Sequence, residues 1–420
     1  IGFIDDDPEK HGKSIHGVEV LGASKDIPSI IRRLHPDEIL IAIRSVSESK
    51  VKEITALSEG KGVNVSLVPG IRPVSTPSHS PEKVLVIGGA GYIGSVMVRR
   101  MLQRGYKVRV LDSLLYGEQP LVELYDNPNF ELITGDFRHV DTVVQAARGV
   151  DAIIHLGGIV GDSACQLDPE FAIEVNSAAT RMIKGVCAGF GIRRFIFAST
   201  CSVYGADDNI LDENSLLNPL SIYARSKIDS EKILLEGANG SFSPTIFRMA
   251  TVFGLSYRPR FDLVINLLAA KAVEGEKITI FGGHQWRPFI HVDDVAKAFI
   301  TCLESPLEKV GQKIFNVGDN KLNCQINSIG EIISNLLPGT RIEHQSDLTD
   351  KRNYRVCFDK ISNALNFTCD KSIQDGITEI RDAIQSGLIS DYRDAQFSNY
   401  LWLEKQREKR EILFTNSHYE

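Results

Sequence analysis

The stretch VLVIGGAGYIGS, residues 84–95, decides the fold. VLVI is a short apolar run of strand type, glycines follow at Gly88, Gly91 and Gly94, and the apolar start of a helix comes next. Glycines at these places let a strand turn tightly into a helix. They also let a pyrophosphate approach main-chain N–H groups and the positive helix end. A strand-to-helix turn with no ligand would use the same residues, so the rest of the chain must supply the remainder of a dinucleotide site.

Downstream of Lys83, strands and helices alternate. VLVI, KVRVLD, FELITGD, VDAIIHLGG and RFIFAST are separated by helical patterns near residues 92–104, 120–125, 142–147 and 169–190, and PTIFRMATVFG adds a further strand after residue 243. Short, continuously apolar strands bounded by helices predict an α/β fold, a doubly wound, Rossmann-like parallel sheet over residues 83–250. Helix and strand signals then become shorter and more mixed, which predicts a smaller C-terminal substrate-binding region over residues 251–395. Residues 396–420, with YLWLEKQREKREILF, form a charged helical tail that reads as solvated or self-associating.

Upstream, residues 1–70 read as a βαβ series without a beginning, with helices near 24–34 and 47–59 and strands at 38–43 and 63–68. This predicts a partial N-terminal α/β domain with a structural or docking role. Residues 71–82 are dense in Pro and Ser and read as a linker.

Composition narrows the function classes. The chain has 420 residues, 43% hydrophobic and 24% charged, and a net charge of −7 with basic residues spread along its length, which points away from nucleic acid. Seven cysteines without a CxxC pair argue for reduced thiols in the cytoplasm and against a disulfide framework or a metal site. No apolar run reaches the ~18 residues needed to span a bilayer.

The next strand supplies the acid that a dinucleotide site needs. KVRVLD ends at Asp112, 18 residues after Gly94, where a carboxylate can accept from both hydroxyls of the adenosine ribose and would repel a 2′-phosphate. NAD is therefore expected over NADP. Asp136, in TGDFRH, could take the adenine amino group, and His155 reads as a packed, hydrogen-bonded spacer.

Of the eleven tyrosines, Tyr223 alone has lysine four residues later, in YARSK. Helical spacing puts both on one face, where the Lys227 ammonium favours the phenolate of a group that titrates near ~10. A plain helix-surface pair would have the same spacing. Thr200, closing RFIFAST, belongs at the carboxyl edge of the sheet, and its hydroxyl can bond both the tyrosine oxygen and a substrate hydroxyl.

GGAGYIGS, VLDSLLYG, GDFRH, IIHLGG, ASTCSVYG, YARSK, FRMATVFG and RPFIHVDDVAKA together resemble, in order and spacing, the extended short-chain dehydrogenase/reductase family of nucleotide-sugar epimerases and dehydratases. The likeness covers about residues 83–370. It implies Gly88, Gly91, Gly94, Asp112 and Asp136 for NAD, with Tyr92, Ile93, Phe137 and Leu156 in the same set. It implies Tyr223, Lys227 and Thr200 for catalysis, with Asn176 as a brace of the site. Thr251, Arg287 and either Arg352 or Arg355 are implied for a nucleotide-diphosphate sugar. The N-terminal stretches GFIDDDPEKHGKSIHGVEVLG and VNVSLVPGI resemble the domain that precedes the catalytic unit of polysaccharide-biosynthesis sugar dehydratases.

The chain departs from the family pattern twice. Ile87 stands where the family usually has threonine, and Cys201-Ser202 follow Thr200 where related 4,6-dehydratases have Asp-Glu, which disfavours dehydration. Cys201 is either a buried small residue or an acid/base group. The resemblance implies an NAD-dependent epimerase acting at C4 through a transient 4-keto sugar, as a cytoplasmic homodimer. An NAD(P)-dependent 4-keto-sugar reductase and a non-catalytic NAD-binding scaffold are the alternatives.

Overall fold

In the computed structural model seven strands form one parallel sheet: β1 (Lys83–Ile87), β2 (Lys107–Asp112), β3 (Phe130–Thr134), β4 (Ala152–His155), β5 (Arg194–Thr200), β6 (Ser243–Met249) and β7 (Lys313–Val317). Their spatial order is β7-β6-β5-β4-β1-β2-β3, so the order in which strands are added reverses between β1 and β4, beside the glycine turn. Such a reversal opens a crevice at the carboxyl ends of the strands, where α/β sheets take ligands. Val84, Leu85, Val86 and Ile87 are all fully buried, as an unbroken apolar run in a sheet covered on both faces must be. The structure describes residues 2–15, 18–42, 48–67, 81–238, 240–346 and 352–416.

The division expected at residue 250 does not follow the sheet. β7 comes from within the stretch assigned to the substrate region and pairs in register with β6, from Thr245 opposite Lys313 to Met249 opposite Val317. The same stretch supplies helix α3 (Val292–Glu304), which packs on α1 (Tyr92–Gln103). Five residues, KIFNV, make too short a signal among mixed neighbours to be read as the last strand of a sheet begun 230 residues earlier.

Much of the remainder of 251–395 builds a smaller lobe, while Tyr354, Val356, Phe358 and Ile361 pack in the core of the large sheet. Thr251–Phe253, Trp286–His291 and Asn323–Gln325 form a three-stranded sheet, and Val264–Val273, Ile326–Leu336 and Ile373–Gln385 are helices around a core that includes Phe253, Phe289, Ile329 and Ile377.

The N-terminal residues belong to a second compact unit. In it Glu38–Ile41 pairs in parallel with Asn64–Leu67 across the helix Glu48–Ser58, over a core of Ile27, Ile31, Ile41 and Ile54. Ile43, Val68 and residues 71–80 of the expected linker lie outside the described residues.

Candidate active site

The cofactor end of the site is built by the turn after β1. Gly88 has φ 85°, and a Cβ on it would lie 2.7 Å from the amide nitrogen of Gly157, so only glycine fits. Gly91 is the N-cap of α1 and offers no side-chain cap, and together with Tyr92, Ile93 and Gly94 it lines a cavity of about 300 Å³. The first amides of α1 therefore face the cavity with nothing over them.

Asp112 closes β2 on the same cavity, where Oδ2 accepts from the Ala90 amide and Oδ1 from that of Leu114, both at 2.9 Å. Burial raises its pKa and the two amides oppose the rise. A carboxylate has about four acceptor sites, so capacity remains for two ligand hydroxyls. An open helix start beside a fixed ribose-type acid is the donor set that a dinucleotide requires.

Phe137, Leu156 and Asp136 also line the cavity. The Asp136 carboxylate is already engaged: Oδ2 accepts from Nε and Nη2 of Arg138 at 2.9 and 2.6 Å, and Oδ1 accepts from the Arg138 amide at 2.9 Å. Burial works to raise its pKa, but Arg138 holds it below the ordinary carboxylate range. Tyr92 reaches the cavity, yet its hydroxyl is committed to the Gly254 carbonyl at 2.7 Å.

Helix α2 (Ile222–Leu235) carries the proton-transfer pair. Ser221 caps it by accepting the Ala224 amide at 3.2 Å, which starts the helix so that Tyr223 and Lys227 fall one turn apart on the cavity side. Thr200, at the carboxyl end of β5, hydrogen-bonds Tyr223 and accepts from the Ser202 amide at 3.1 Å. Lys227 donates to the Ala198 carbonyl at 2.9 Å, and its nitrogen sits 6.0 Å from the Tyr223 ring centroid.

The protein's own groups do not shift the tyrosine in the expected direction. Burial pushes the Tyr223 hydroxyl well up, Cys165 and Asp162 push the same way, and Arg260 and the Thr200 hydrogen bond oppose them without prevailing. Burial also pulls Lys227 down to about 8. A helical spacing shows which groups meet, but not that desolvation outweighs their attraction.

His155 departs from its expected bonding. It is packed 5.4 Å from Phe137 and 5.6 Å from Phe197 by ring centroids, and neither ring nitrogen has a hydrogen-bond partner. Burial first and Lys227 second pull its pKa down to about 3, so it stays neutral beside the lysine.

Several implied residues support the site from behind it. The helix expected over 169–190 is interrupted by a π-turn, Glu174–Ala178, and Asn176 lies in that turn. Asn176 does not line the cavity. It clamps Ile159 through both its amide (2.9 Å) and its carbonyl (3.0 Å) and donates to Ser226 on α2 at 3.1 Å. Cys201 is buried against the Arg248 carbonyl at 3.1 Å, and burial raises its pKa, which makes it the small packed residue of the two alternatives. Beneath Thr200, Arg248 on β6 and Glu231 on α2 form an ion pair at 2.7 Å, each side chain 4% exposed, with Ser199 and Tyr204 bonded into it.

At the substrate end Thr251 and Arg352 line the cavity, and Arg352 faces Asp162 at 3.3 Å. Arg355 does not line it. Its Nη2 donates to the Asp208 carbonyl at 2.7 Å and its guanidinium lies over Trp286. Arg287 sits behind the wall, donating to the main-chain carbonyls of Trp286 and Arg352.

Sequence reasoning missed Arg258, Arg260, Tyr116 and Asn399, which also line the cavity. The RPRFD stretch, two arginines around a proline, was the available signal for the first pair. The tail is not simply solvated: helix α4 (Asn399–Asn416) begins at the cavity, and Trp402 Nε1 donates to the Leu115 carbonyl at 2.6 Å.

Residues 84–318 match the NAD dependent epimerase/dehydratase family. The chain belongs to that family. Its cofactor is accordingly NAD, for which the open helix start and Asp112 provide the fitting groups. A putative UDP-glucose 4-epimerase of Methanocaldococcus jannaschii is 30% identical over 305 residues, 71% of this chain and 96% of the relative. A UDP-glucuronate 4-epimerase of Thermodesulfobacterium geofontis is 30% identical over 312 residues, 70% and 93% of the two chains. Among solved structures, UDP-glucuronic acid 4-epimerase of Bacillus cereus, in complex with UDP-glucuronic acid and NAD, is similar with a TM-score of 0.64. It is 25% identical, and the match covers 72% of this chain and 99% of that one.

Proposed function

We propose that this chain inverts C4 of a nucleotide-diphosphate sugar through a transient 4-keto sugar. The observation that carries it is the convergence on one cavity of Thr200, Tyr223 and Lys227 with a dinucleotide donor set, while Cys201 and Ser202 stand where a dehydratase would have Asp and Glu. The 4-epimerase relatives and the family support it.

NAD, when bound, supplies a reversible acceptor for the C4 hydride and, oxidised, a positive ring charge. Tyr223 Oη takes the proton of the sugar 4-hydroxyl and later returns it on the other face. Thr200 aligns that hydroxyl through its own hydrogen bond to Tyr223. Lys227 would hold the ribose hydroxyls of bound NAD, and it keeps a positive charge 6.0 Å from the centre of the phenol ring. Arg352 leaves Asp162 to grip the diphosphate, for which a guanidinium is suited by its bidentate geometry. Arg287 fixes the main chain of Arg352. The cycle runs in a homodimer, and seven free cysteines support a reducing, cytoplasmic setting.

Incubation with UDP-glucose or UDP-glucuronate should give the C4 epimer, approached to the same ratio from either side, with no net use of cofactor. Stoichiometric consumption of NADH by a 4-keto sugar would instead make it a reductase.

A second expectation follows from the direction of the tyrosine shift. Burial keeps Tyr223 a neutral phenol through the neutral range in the cofactor-free protein. A positive charge nearby favours the phenolate and lowers the pKa, so NAD⁺ should shift a one-proton tyrosine titration towards neutrality. Ultraviolet difference absorbance would show it in the wild type but not in Tyr223→Phe. A titration that ignores NAD⁺ would remove Tyr223 from the base role.

A further inference from the structure

Within the cavity one guanidinium, Arg258, is buried without a direct ion-pair partner, although the charges of Asp262 and Asp112 act on it from farther off. Arg258 is 5% exposed, and among the described residues no carboxylate lies within ion-pair distance of it. Its neighbour Arg260 is neutralised by Asp262 through two bonds of 2.9 and 2.8 Å. Arg258 instead donates to neutral groups only, the Asn399 side-chain oxygen at 2.7 Å and the Gln396 carbonyl at 3.4 Å, while its Nε has no partner at all. A buried charge without a direct partner is costly, and an anion brought into the cavity would offset that cost.

The position of Arg258 selects the anion. Its main chain is tied to the start of α1: Tyr92 bonds the Gly254 carbonyl, and Ser256 donates to the Tyr92 carbonyl at 2.6 Å and accepts from the Arg258 amide at 3.2 Å. Its guanidinium lies 4.0 Å from the Tyr116 ring centroid, four residues beyond the ribose acid Asp112. These bonds place Arg258 at the end of the cavity where the open amides of α1 lie.

We propose that Arg258 clamps the pyrophosphate of the dinucleotide, and that Asn399, the first residue of α4, is the positioning residue that aims it. Asn399 is itself 5% exposed. Its amide donates to Asp262 at 3.1 Å and its Nδ2 to the Val160 carbonyl at 3.1 Å, so its side-chain oxygen has one orientation to offer. The C-terminal segment thereby becomes part of the cofactor site. The proposal rests on the cavity being the NAD site.

The test is calorimetric titration of the full chain and of Arg258→Gln and Asn399→Ala with NAD, ADP-ribose, adenosine and UDP. Loss of one charged hydrogen-bonding group from a bound anion should weaken NAD and ADP-ribose by ~10–100-fold in Arg258→Gln. Adenosine, which has no phosphate, and UDP should keep wild-type affinity, and unchanged UDP binding also certifies that the variant is folded. Asn399→Ala should weaken the same two ligands by a smaller factor. Unchanged NAD affinity in Arg258→Gln overturns the clamp, and so does a loss confined to UDP, which would assign Arg258 to the sugar nucleotide. A loss in Arg258→Gln with none in Asn399→Ala overturns the positioning role. Absence of NAD binding by the wild type would instead remove the cofactor assignment itself.

Discussion

Tyr223→Phe should lower turnover by ~10²–10⁴-fold, the usual worth of a positioned acid/base group, with NAD and UDP affinities unchanged. The substitution deletes one oxygen from a buried ring. Its hydrogen bond to Thr200 is lost, but the ring keeps its packing and Lys227 keeps its bond to the Ala198 carbonyl. The defect should therefore appear in kcat and leave thermal stability close to wild type. Equal losses in kcat and in NAD affinity would mean that the hydroxyl holds the cofactor and does not move a proton.

The largest stability effect is expected one layer down. Glu231→Leu leaves the Arg248 guanidinium inside the protein with its charge uncompensated, and breaking a buried pair in this way costs ~3–5 kcal/mol. The urea midpoint should fall accordingly. Glu231→Leu combined with Arg248→Met should recover much of the loss, because the uncompensated charge is then gone. The pair joins α2 to β6 directly beneath Thr200, so the single variant should also lose activity out of proportion to the fraction unfolded. A single-variant midpoint within experimental error of wild type would contradict the network.

The nucleotide fold was legible from residue 83 to Met249 because its strands are short, mainly apolar runs separated by helical patterns, a local signal. β7 was not legible, because KIFNV acquires its meaning only from the β6 edge it pairs with. For the site, the glycine turn, Asp112 and the Thr200, Tyr223 and Lys227 positions could be read from spacing. What spacing could not give was which neighbours were already engaged: Asp136 by Arg138, Tyr92 by Gly254, and Arg287 by the main chain of Arg352. Nor does a run of charges in a tail disclose that its first asparagine is buried. In the N-terminal unit a parallel pair, Glu38–Ile41 with Asn64–Leu67, closes over four isoleucines.

The placement of β7 bears on how the enzyme could be taken apart. A fragment ending at residue 250 would contain every glycine and acid of the nucleotide turn, yet it would leave β6 as the sheet's rim, with the groups of residues 245–249 that bonded β7 bare. Bare rims recruit strands from other molecules. The chain leaves the sheet after β6, builds part of the smaller lobe and comes back before leaving again, so the lobe is stitched to the sheet at more than one point. Nucleotide half and sugar half cannot be shuffled between relatives by a single crossover without unpicking that seam.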